Sequence, residues 1–293
     1  MSIKEPHNAG RSDSRILYGA GMSWSLILPW LGLLVVGFAY PVFKLLSGSF
    51  FDDGFTLVHY QRAVTEPLYT AVLLRTLRIA LIVTVCALLV GYPIAYAISK
   101  LVRPWSMVVA ACVLIPFWTS ILVRSYAWIV LLQRKGLINT LLIDLGVTSE
   151  PLRLLYTEFA VILAMTHVLL PFLILPVYGA LKTIPADLPM AAYNLGATPI
   201  KVFWKVVFPL SLPGVFAGCL ITFILALGFY ITPALVGGPN SLMMATLIGQ
   251  QTTQVLNWPF AGALATILLI TTVVLAVMFR TLLAKNRGFS SGI

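Results

Sequence analysis

The feature that most restricts the fold is the absence of charge over long stretches of the chain. Between Lys205 and Arg280 the sequence contains no charged residue at all. Over the whole chain of 293 residues, 60% are hydrophobic and 10% are charged, a composition typical of integral membrane proteins. Because only helices and closed barrels satisfy the backbone hydrogen bonds in lipid, we predict an all-α, polytopic membrane protein.

Six apolar runs are long enough to cross the membrane, since a span needs about 20 apolar residues for ~30 Å of hydrocarbon. The predicted spans are residues 24–46, 79–98, 105–132, 159–181, 211–236 and 260–283. No linker divides the chain, so a single transmembrane domain is predicted over residues 1–293, with a polar N-terminal segment at 1–23 and a tail at 284–293. The first apolar run is too long for a signal peptide and lacks a cleavage site, so no cleavable signal peptide is expected.

The basic charge of +10 is distributed according to topology. With a cytoplasmic N-terminus, eleven of the 19 basic residues and three of the nine acids lie on the inner side. The positive-inside rule therefore predicts a multi-pass protein of the bacterial inner membrane with both termini in the cytoplasm. The net charge is thus a topology signal, and no nucleic-acid partner is expected.

The polar stretch at residues 185–213 separates the fourth and fifth apolar runs and is predicted to form two short helices. We expect Asp187 to cap the first helix and Gly196 to end it in the left-handed conformation. Thr198 and Pro199 are suited to cap and open the second helix. Such a hairpin is either a simple connection between spans or a surface that contacts a partner.

The spacing within this stretch resembles the cytoplasmic coupling motif of binding-protein-dependent ABC importer permeases. That motif runs Glu-Ala-Ala, three residues, Gly, nine residues, Ile, one residue, Leu-Pro. The residues that carry the resemblance are Ala191, Ala192, Gly196, Val206, Phe208 and Pro209. Met190 stands where the family usually has glutamate, which removes one polar contact and leaves the docking itself in place.

In that family the motif forms a helix–turn–helix that docks into a groove on an ATPase subunit. The resemblance implies the type I ABC importer permease fold, with six transmembrane helices and a cytoplasmic coupling hairpin at residues 185–209. It implies that the ATPase is contacted through Asp187, Met190, Ala191, Ala192, Leu195, Gly196 and Pro209. The implied partners are a second, related permease, two copies of an ATP-binding subunit, a soluble substrate-binding protein and the lipid bilayer.

Residues 91–96, Gly-Tyr-Pro-Ile-Ala-Tyr, also resemble this family and end the second span. Gly91 is suited to close helix approach and Pro93 to a kink. These residues indicate either a mobile gating helix or an ordinary membrane helix, in which prolines are common.

Residues 116–128 in the third span resemble the spermidine/putrescine branch of these permeases. A straight helix that begins at Trp105 would place Arg124 about 28 Å across the membrane, near the outer interface. At that depth Arg124 is either an interfacial anchor or a contact in the vestibule.

Residues 227–239 and 257–260 resemble the same branch, so the resemblance covers most of residues 70–283. Gly214 and Gly218 form a small-xxx-small pair suited to tight helix packing. Phe229 stands where relatives often carry an acid, and the sequence has no Asp or Glu between residues 66 and 144 or after residue 187. A cation would therefore depend on aromatic faces, worth ~1–2 kcal/mol each when desolvated, or on acids from a partner. The candidate pathway residues are Trp118, Arg124, Tyr126, Trp128, Phe229 and Tyr230, although the aromatic ones among them are equally compatible with lipid-facing or core positions.

No pattern in the sequence indicates catalysis. There is no P-loop, so the chain is not expected to bind ATP, and no cofactor or metal-ligand spacing is found. His167 lies within a span with no acid nearby in sequence, and we interpret it as a hydrogen-bonded packing residue rather than a proton relay or substrate contact.

The sequence therefore predicts the permease subunit of an ATP-driven importer, which forms half of the pore for a small organic solute delivered by a binding protein. A polyamine such as spermidine or putrescine is the expected substrate, and another organic solute, such as an amino-acid derivative or an opine-like compound, is the alternative. Two other classes stay open, an ATP-independent secondary transporter and a membrane subunit that lines no pathway. The absence of acids within the spans disfavours the first of these.

Overall fold

The computed structural model describes residues 20–51 and 54–287, and these residues are helical almost throughout. In chain order the helices are α1 (Ala20–Leu34), α2 (Tyr40–Gly48), α3 (Val58–Thr65), α4 (Pro67–Lys100), α5 (Arg103–Trp118), α6 (Ile121–Leu132), α7 (Leu137–Asp144), α8 (Glu158–Thr183), α9 (Asp187–Asn194), α10 (Pro199–Val202), α11 (Phe208–Leu227), α12 (Ile231–Val236), α13 (Met244–Thr253) and α14 (Trp258–Arg287). Within the described residues no strand occurs beyond a single bridge between Phe51 and Phe55. The all-α prediction is confirmed.

Five helical segments are long and apolar enough to cross a membrane, and a bent pair of helices raises the number to six. The first, fourth and sixth predicted spans correspond to Trp24–Gly48, Glu158–Thr183 and Trp258–Thr281. The second, α4, begins twelve residues earlier than predicted. Its 34 residues extend over about 51 Å, so the helix projects beyond a ~30 Å hydrocarbon core.

The chain ends differ in part from the prediction. Residues 1–19 of the predicted N-terminal segment and 288–293 of the predicted tail lie outside the described residues. Helix α1 begins at Ala20, and α14 continues to Arg287, so residues 284–287 extend the last helix.

The third predicted span, 105–132, is wrong as a single straight helix. The chain bends by 103° between α5 and the segment Ile121–Asp144. Helix α5 closes at Thr119, whose N–H and Oγ both donate to the carbonyl of Pro116, at 3.1 and 2.7 Å. Thr119 and Ser120 then have extended backbones, which redirects the chain before α6 begins.

The fifth predicted span, 211–236, is shifted in the structure. The continuous helical segment is Pro199–Leu227. It ends at Gly228, and residues 231–236 form the separate helix α12. A long apolar run does not distinguish one helix from two helices joined by a glycine, which explains the error.

Two π-helical turns occur in the described spans, at Val35–Ala39 and Phe203–Val207. Each is followed within two residues by a proline, Pro41 or Pro209. A proline has no N–H and its ring clashes with the carbonyl four residues earlier. A wider turn before the proline reduces this conflict and allows each span to continue without a break.

Helix α8 lies at the centre of the bundle and packs against α4 and α11. Its contact with α11 is made close by two glycines, because a Cβ at Gly214 would lie 2.6 Å from the Pro176 carbonyl oxygen and one at Gly218 would lie 2.9 Å from that of Leu173. Gly91 on α4 similarly faces the Leu173 side chain. The predicted small-xxx-small packing and the close approach at Gly91 are confirmed.

Replacing Gly214 with alanine is expected to lower the stability of the isolated chain by ~1–3 kcal/mol, because the added methyl group overpacks the α8–α11 contact. Gly179 on α8 is the matched control. It has no atom within 4 Å of a Cβ position, so Gly179→Ala is expected to leave stability unchanged or to raise it by up to ~1 kcal/mol through helix propensity. Thermal unfolding in detergent compares the two variants, and equal melting temperatures would contradict the packing role.

Candidate functional site: a hairpin joined to the membrane spans

The polar hairpin begins with α9 and turns at Gly196, as predicted. Gly196 has φ +79°. Its N–H donates to the Tyr193 carbonyl at 2.9 Å and the N–H of Ala197 donates to that of Ala192 at 3.1 Å, which is the Schellman arrangement that ends a helix. A side chain at Gly196 would be strained by this backbone conformation. The turn is therefore fixed by the backbone itself.

The predicted caps of the hairpin are only partly correct. Ala186, and not Asp187, occupies the N-cap position of α9, and no side chain caps the helix. Asp187 is the first residue of the helix, where its carboxylate interacts favourably with the helix dipole. Thr198 does occupy the N-cap position of α10, with an extended backbone and no side-chain hydrogen bond.

The second hairpin helix is not short, which corrects the predicted pair of short helices. It begins at Pro199 and runs through the π-helical turn into α11 as one segment up to Leu227. Pro209 therefore lies inside a continuous rod. The hairpin is therefore joined to the fifth span by continuous helix that includes the π-helical turn Phe203–Val207.

An aromatic cluster joins the hairpin base to the end of α4. The Phe203 ring packs edge-on against Tyr92 and Tyr96, with ring centroids 5.9 and 5.4 Å apart. Phe208 contacts Tyr92 at 5.6 Å, and the Tyr92 hydroxyl lies 3.0 Å from the Ser211 hydroxyl in the buried interior. The run at residues 91–96 and the hairpin, which were separate motifs in the sequence, thus form one contact.

The tip of the hairpin presents exposed apolar side chains. Leu195 is 88% exposed. The other exposed large apolar side chains of the hairpin are Leu188, Met190, Tyr193, Ile200 and Trp204. Contiguous apolar surface of this kind marks an interaction site.

The predicted coupling residues divide between this tip and the base. Asp187, Met190, Ala191, Leu195 and Gly196 are exposed. Ala192 is half-buried and packs toward the base, and Pro209 is exposed on the rod.

The bend between α5 and α6 exposes non-helical backbone at membrane depth. Phe117, just before the bend, packs on Phe172 with ring centroids 5.3 Å apart, and Phe172 lies near the middle of α8. Trp118, Thr119 and Ser120 are exposed, Trp118 by 85%. Backbone of this kind is tolerated in a membrane only against protein or beside water. The bend is therefore a candidate position for a cavity or a contact with another subunit.

Arg124 is only 9% exposed, and the bend invalidates the straight-helix estimate of its depth. Its Nε and Nη1 atoms are buried and make no hydrogen bond within the part of the chain that the structure describes. The next residue, Ser125, has its hydroxyl 3.0 Å from that of Thr232 and so ties α6 to α12. Arg124 is thus a buried cation and not a side chain that extends to the interface.

Trp128 and His167 form a pair between α6 and α8. The Trp128 indole N–H donates to Nδ1 of His167 at 3.3 Å, with ring centroids 5.8 Å apart. His167 is hydrogen-bonded, as interpreted from the sequence, but it is exposed rather than packed in the core. Tyr126 is also exposed, on the opposite side of α6.

Phe229 and Tyr230 lie in the short connection between α11 and α12. Phe229 is half-buried against a core cluster formed by α4, α8 and α11, while Tyr230 is exposed and its ring lies against Gly249 on α13. Among the ring contacts of the described residues, none joins these two aromatics to Trp118, Tyr126 or Trp128. The structure therefore does not bring the predicted aromatic pathway residues together into one ring cluster.

At the opposite end of the bundle from the hairpin, Arg62 on α3 fixes the last span. Its Nε donates to the Glu66 carboxylate at 2.9 Å, and the guanidinium lies 4.8 Å from the ring centroid of Phe260 on α14. The hydrogen bond to Glu66 raises the pKa of Arg62. Arg78 on α4 and Glu158 on α8 form a second ion pair near this end.

Sequence reasoning missed the contribution of Phe203 and Ser211 to the hairpin base. Their only sequence signal is the position of Ser211 within a helix whose one other hydroxyl is that of Thr222, because a buried hydroxyl usually has a partner. No group of His, Cys, Asp or Glu that could hold a metal ion occurs in the described residues.

Comparison with known proteins identifies close relatives over most of the chain. It is 35% identical to the spermidine/putrescine transport system permease protein PotB of Escherichia coli over 246 residues, which covers 81% of this chain and 89% of the relative. It is 36% identical to PotB of Haemophilus influenzae over 249 residues, which covers 82% and 86%.

The fold is shared with a chain of a bacterial ABC transporter involved in the import of the acidic polysaccharide alginate. That chain superimposes with a TM-score of 0.71 at 17% identity, over 89% of this chain and 94% of the other. The family model described as binding-protein-dependent transport system inner membrane component matches residues 87–287, which include the hairpin and the bend. The chain therefore belongs to the family of binding-protein-dependent transport system inner membrane components.

Proposed function

We propose that this chain forms half of the translocation pore of an ATP-driven polyamine importer and that its hairpin is the docking surface for the ATPase. The observation that carries the proposal is the hairpin itself. It combines an exposed apolar tip, a backbone-fixed turn and a continuous helical connection to the fifth span. Membership of the family indicates a role in transport. These features allow the hairpin to pass a movement of its tip on to the fifth span.

The docking surface is formed by the exposed apolar side chains around Leu195. Met190, which replaces the usual glutamate of the motif, adds one more apolar side chain to that surface. Burial of apolar side chains stabilises a complex by about 25 cal/mol per Å² of area removed from water, before the costs of association. An apolar tip is therefore suited to a groove on a soluble subunit.

Movement of the docked tip reaches the membrane by two routes. The rod from Pro199 to Leu227 carries it into α11, and the contact of Phe203 with Tyr92 and Tyr96 carries it into α4. When the ATPases close on ATP, the hairpin moves and the spans change from inward- to outward-facing. The pore then accepts substrate from the docked binding protein and releases it inward after hydrolysis.

This mechanism requires a second permease to complete the pore, two copies of the ATP-binding subunit and a soluble binding protein. The chain contributes the membrane half only, and it has no residues for ATP hydrolysis in its sequence pattern. The hairpin end of the bundle faces the cytoplasm, where the ATPase is, and the basic residues at that end support this orientation.

The pathway runs along the surface exposed by the bend between α5 and α6. Trp118 presents an aromatic face there, and Trp128 with His167 adds a polar pair, whereas Tyr126 is exposed on the other side of α6. A polyamine with several ammonium groups gains ~1–2 kcal/mol from each desolvated aromatic face. The substrate class rests on this chemistry and on the relatives named spermidine/putrescine permeases.

A second candidate is another small organic solute, and Arg124 favours it. This buried guanidinium has unpartnered nitrogens within the described residues, and no ion pair of those residues includes it. An unpartnered buried cation repels a polycation in a low-dielectric environment. A solute with an anionic group would instead be attracted.

Replacing Leu195 with aspartate is expected to reduce recovery of the ATPase with the tagged chain at least tenfold, because a charge in an apolar contact costs about 1.4 kcal/mol or more. The measurement is the amount of ATPase in the eluate when the chain is co-expressed with its neighbouring genes. Leu145→Asp is the control, because Leu145 is 75% exposed and follows α7 at the other end of the bundle. Equal recovery of ATPase with both variants would overturn the docking role.

Cysteine in place of Trp118 is expected to react with an aqueous thiol reagent at least ten times faster than cysteine in place of Trp30. Both tryptophans are highly exposed in the isolated chain, by 85% and 74%, but Trp30 lies on the first span, where it faces lipid. The background for both variants lacks the three native cysteines, Cys86, Cys112 and Cys219. Labelling of the assembled complex in membranes distinguishes them, and equally slow labelling at both positions would exclude the proposed pathway.

Cells that express the complete system are expected to accumulate radiolabelled spermidine or putrescine in an ATP-dependent and saturable manner. The Leu195→Asp variant is expected to lose at least nine-tenths of this uptake, because docking fails. If the ATPase co-purifies and requires Leu195, yet neither polyamine enters the cells, the importer assignment stands and the polyamine assignment fails.

A further inference from the structure

A cleft of about 200 Å³ lies between α5, α8 and the end of α4. Its walls are almost entirely apolar, formed by side chains such as Ile98, Ala110, Val113 and Leu175. Helix α5 contains no buried residue, so the cleft opens on the outer surface of the chain. Ser106 lies near the start of α5 and Tyr178 near the end of α8, so the cleft lies at the hairpin side of the bundle.

The two polar groups in the cleft differ in their hydrogen bonding. The Ser106 hydroxyl donates to the Ile98 carbonyl at 2.7 Å and so closes the wall between α4 and α5. The Tyr178 hydroxyl also lines the cleft, and it has no hydrogen-bond partner among the residues that the structure describes. Tyr178 is therefore available to a ligand.

Three basic residues, called here the basic rim, lie at the ends of the helices that form the hairpin side of this cleft. Lys182 lies one turn beyond Tyr178 on α8, and its ammonium is 5.8 Å from the centroid of the Tyr178 ring. Lys100 ends α4 two residues after Ile98, and Arg103 begins α5 three residues before Ser106. All three are exposed. No acidic residue occurs in α4, in α5 or in α8 after Glu158, so nothing on these helices neutralises the basic rim.

We propose that this cleft binds one acyl chain of an anionic phospholipid, whose phosphate is held by Lys182 and Arg103 with Lys100 nearby. The apolar walls match the acyl chain, and the basic rim lies where the headgroup begins. Basic groups between spans at the cytoplasmic side are suited to anionic headgroups, and long Lys and Arg side chains extend readily to that interface. The Tyr178 hydroxyl is positioned to donate to the glycerol or phosphate region.

The bound lipid would contact the same core cluster that supports the hairpin. Ile98 and Ile174 line the cleft and belong to the buried cluster that includes Val202 and Val207 of the hairpin base. An acyl chain in the cleft thus packs beside the helices that connect the hairpin to the membrane spans. This regulatory consequence rests on the proposed function, whereas lipid binding itself does not.

The test counts the phospholipids retained by the purified full chain with native mass spectrometry. The chain is extracted from vesicles of equal parts phosphatidylglycerol and phosphatidylcholine. The expected result is one tightly held phosphatidylglycerol for each chain, reduced at least tenfold in the Lys182→Gln, Arg103→Gln double variant. Ala110→Phe, which fills the cleft, is expected to remove the same lipid. Arg280→Gln near the end of α14 is the control and is expected to retain it.

Two results would overturn the proposal. Equal retention of phosphatidylglycerol in the double variant and in the control would show that the basic rim binds no headgroup. Loss of a co-purifying permease in Ala110→Phe, with the lipid count unchanged, would show that protein and not lipid covers the cleft.

The Leu195→Asp variant separates this proposal from the proposed function. It is expected to keep the lipid even though it loses the ATPase. If the lipid is retained and the hairpin proves to bind no ATPase, the lipid site stands without its regulatory role.

Discussion

In the hydrocarbon of a membrane, a backbone N–H or C=O group without a hydrogen-bond partner costs several kcal/mol. This constraint explains why α4, α8 and α11 are long and why their prolines are accommodated by continuous helix or by a π-helical turn. The same constraint also draws attention to the positions at which helical structure is interrupted within a span. The extended backbone at Thr119 and Ser120 is exposed at membrane depth, and such a break requires water or protein beside it. The position of the candidate pathway thus follows from the place where the regular helical pattern is interrupted.

The same constraint favours continuous helices, and the proposed action of the hairpin at a distance rests on that continuity. The rod that starts at Pro199 has no joint before Leu227, and its packing on α8 is made close by Gly214 and Gly218. A second connection runs through Tyr92 to α4. Because tightly packed helices shift as units rather than deform locally, the proposed displacement of the hairpin tip would become relative movement of the spans. A lipid bound in the apolar cleft, as proposed, would lie next to this connection.

The hairpin was largely predictable, and the pathway was not. Gly196, the alanines and the turn are local features, since a Schellman turn depends on a few consecutive residues and their backbone preferences. The placement of Arg124 failed because the estimate assumed a straight helix, and the bend at Thr119 depends on only two extended residues within an apolar run. The contact of Tyr92 with Phe203 and Ser211 was also not predictable, because these residues are more than 100 positions apart and no periodicity links them.

The sequence by itself determined that the chain is helical, spans the membrane several times and carries a turn at Gly196. These properties follow from hydrophobicity, charge distribution and local backbone preference, which act over short stretches. Only the tertiary structure decided which helices are bent, which glycines face a neighbouring helix and which side chains are buried. Arg124 illustrates the difference. Its charge follows from the residue type, whereas its burial results from the packing of α6 against α8 and α12. Packing is a property of surfaces brought together from distant parts of the chain, and a linear pattern does not record them.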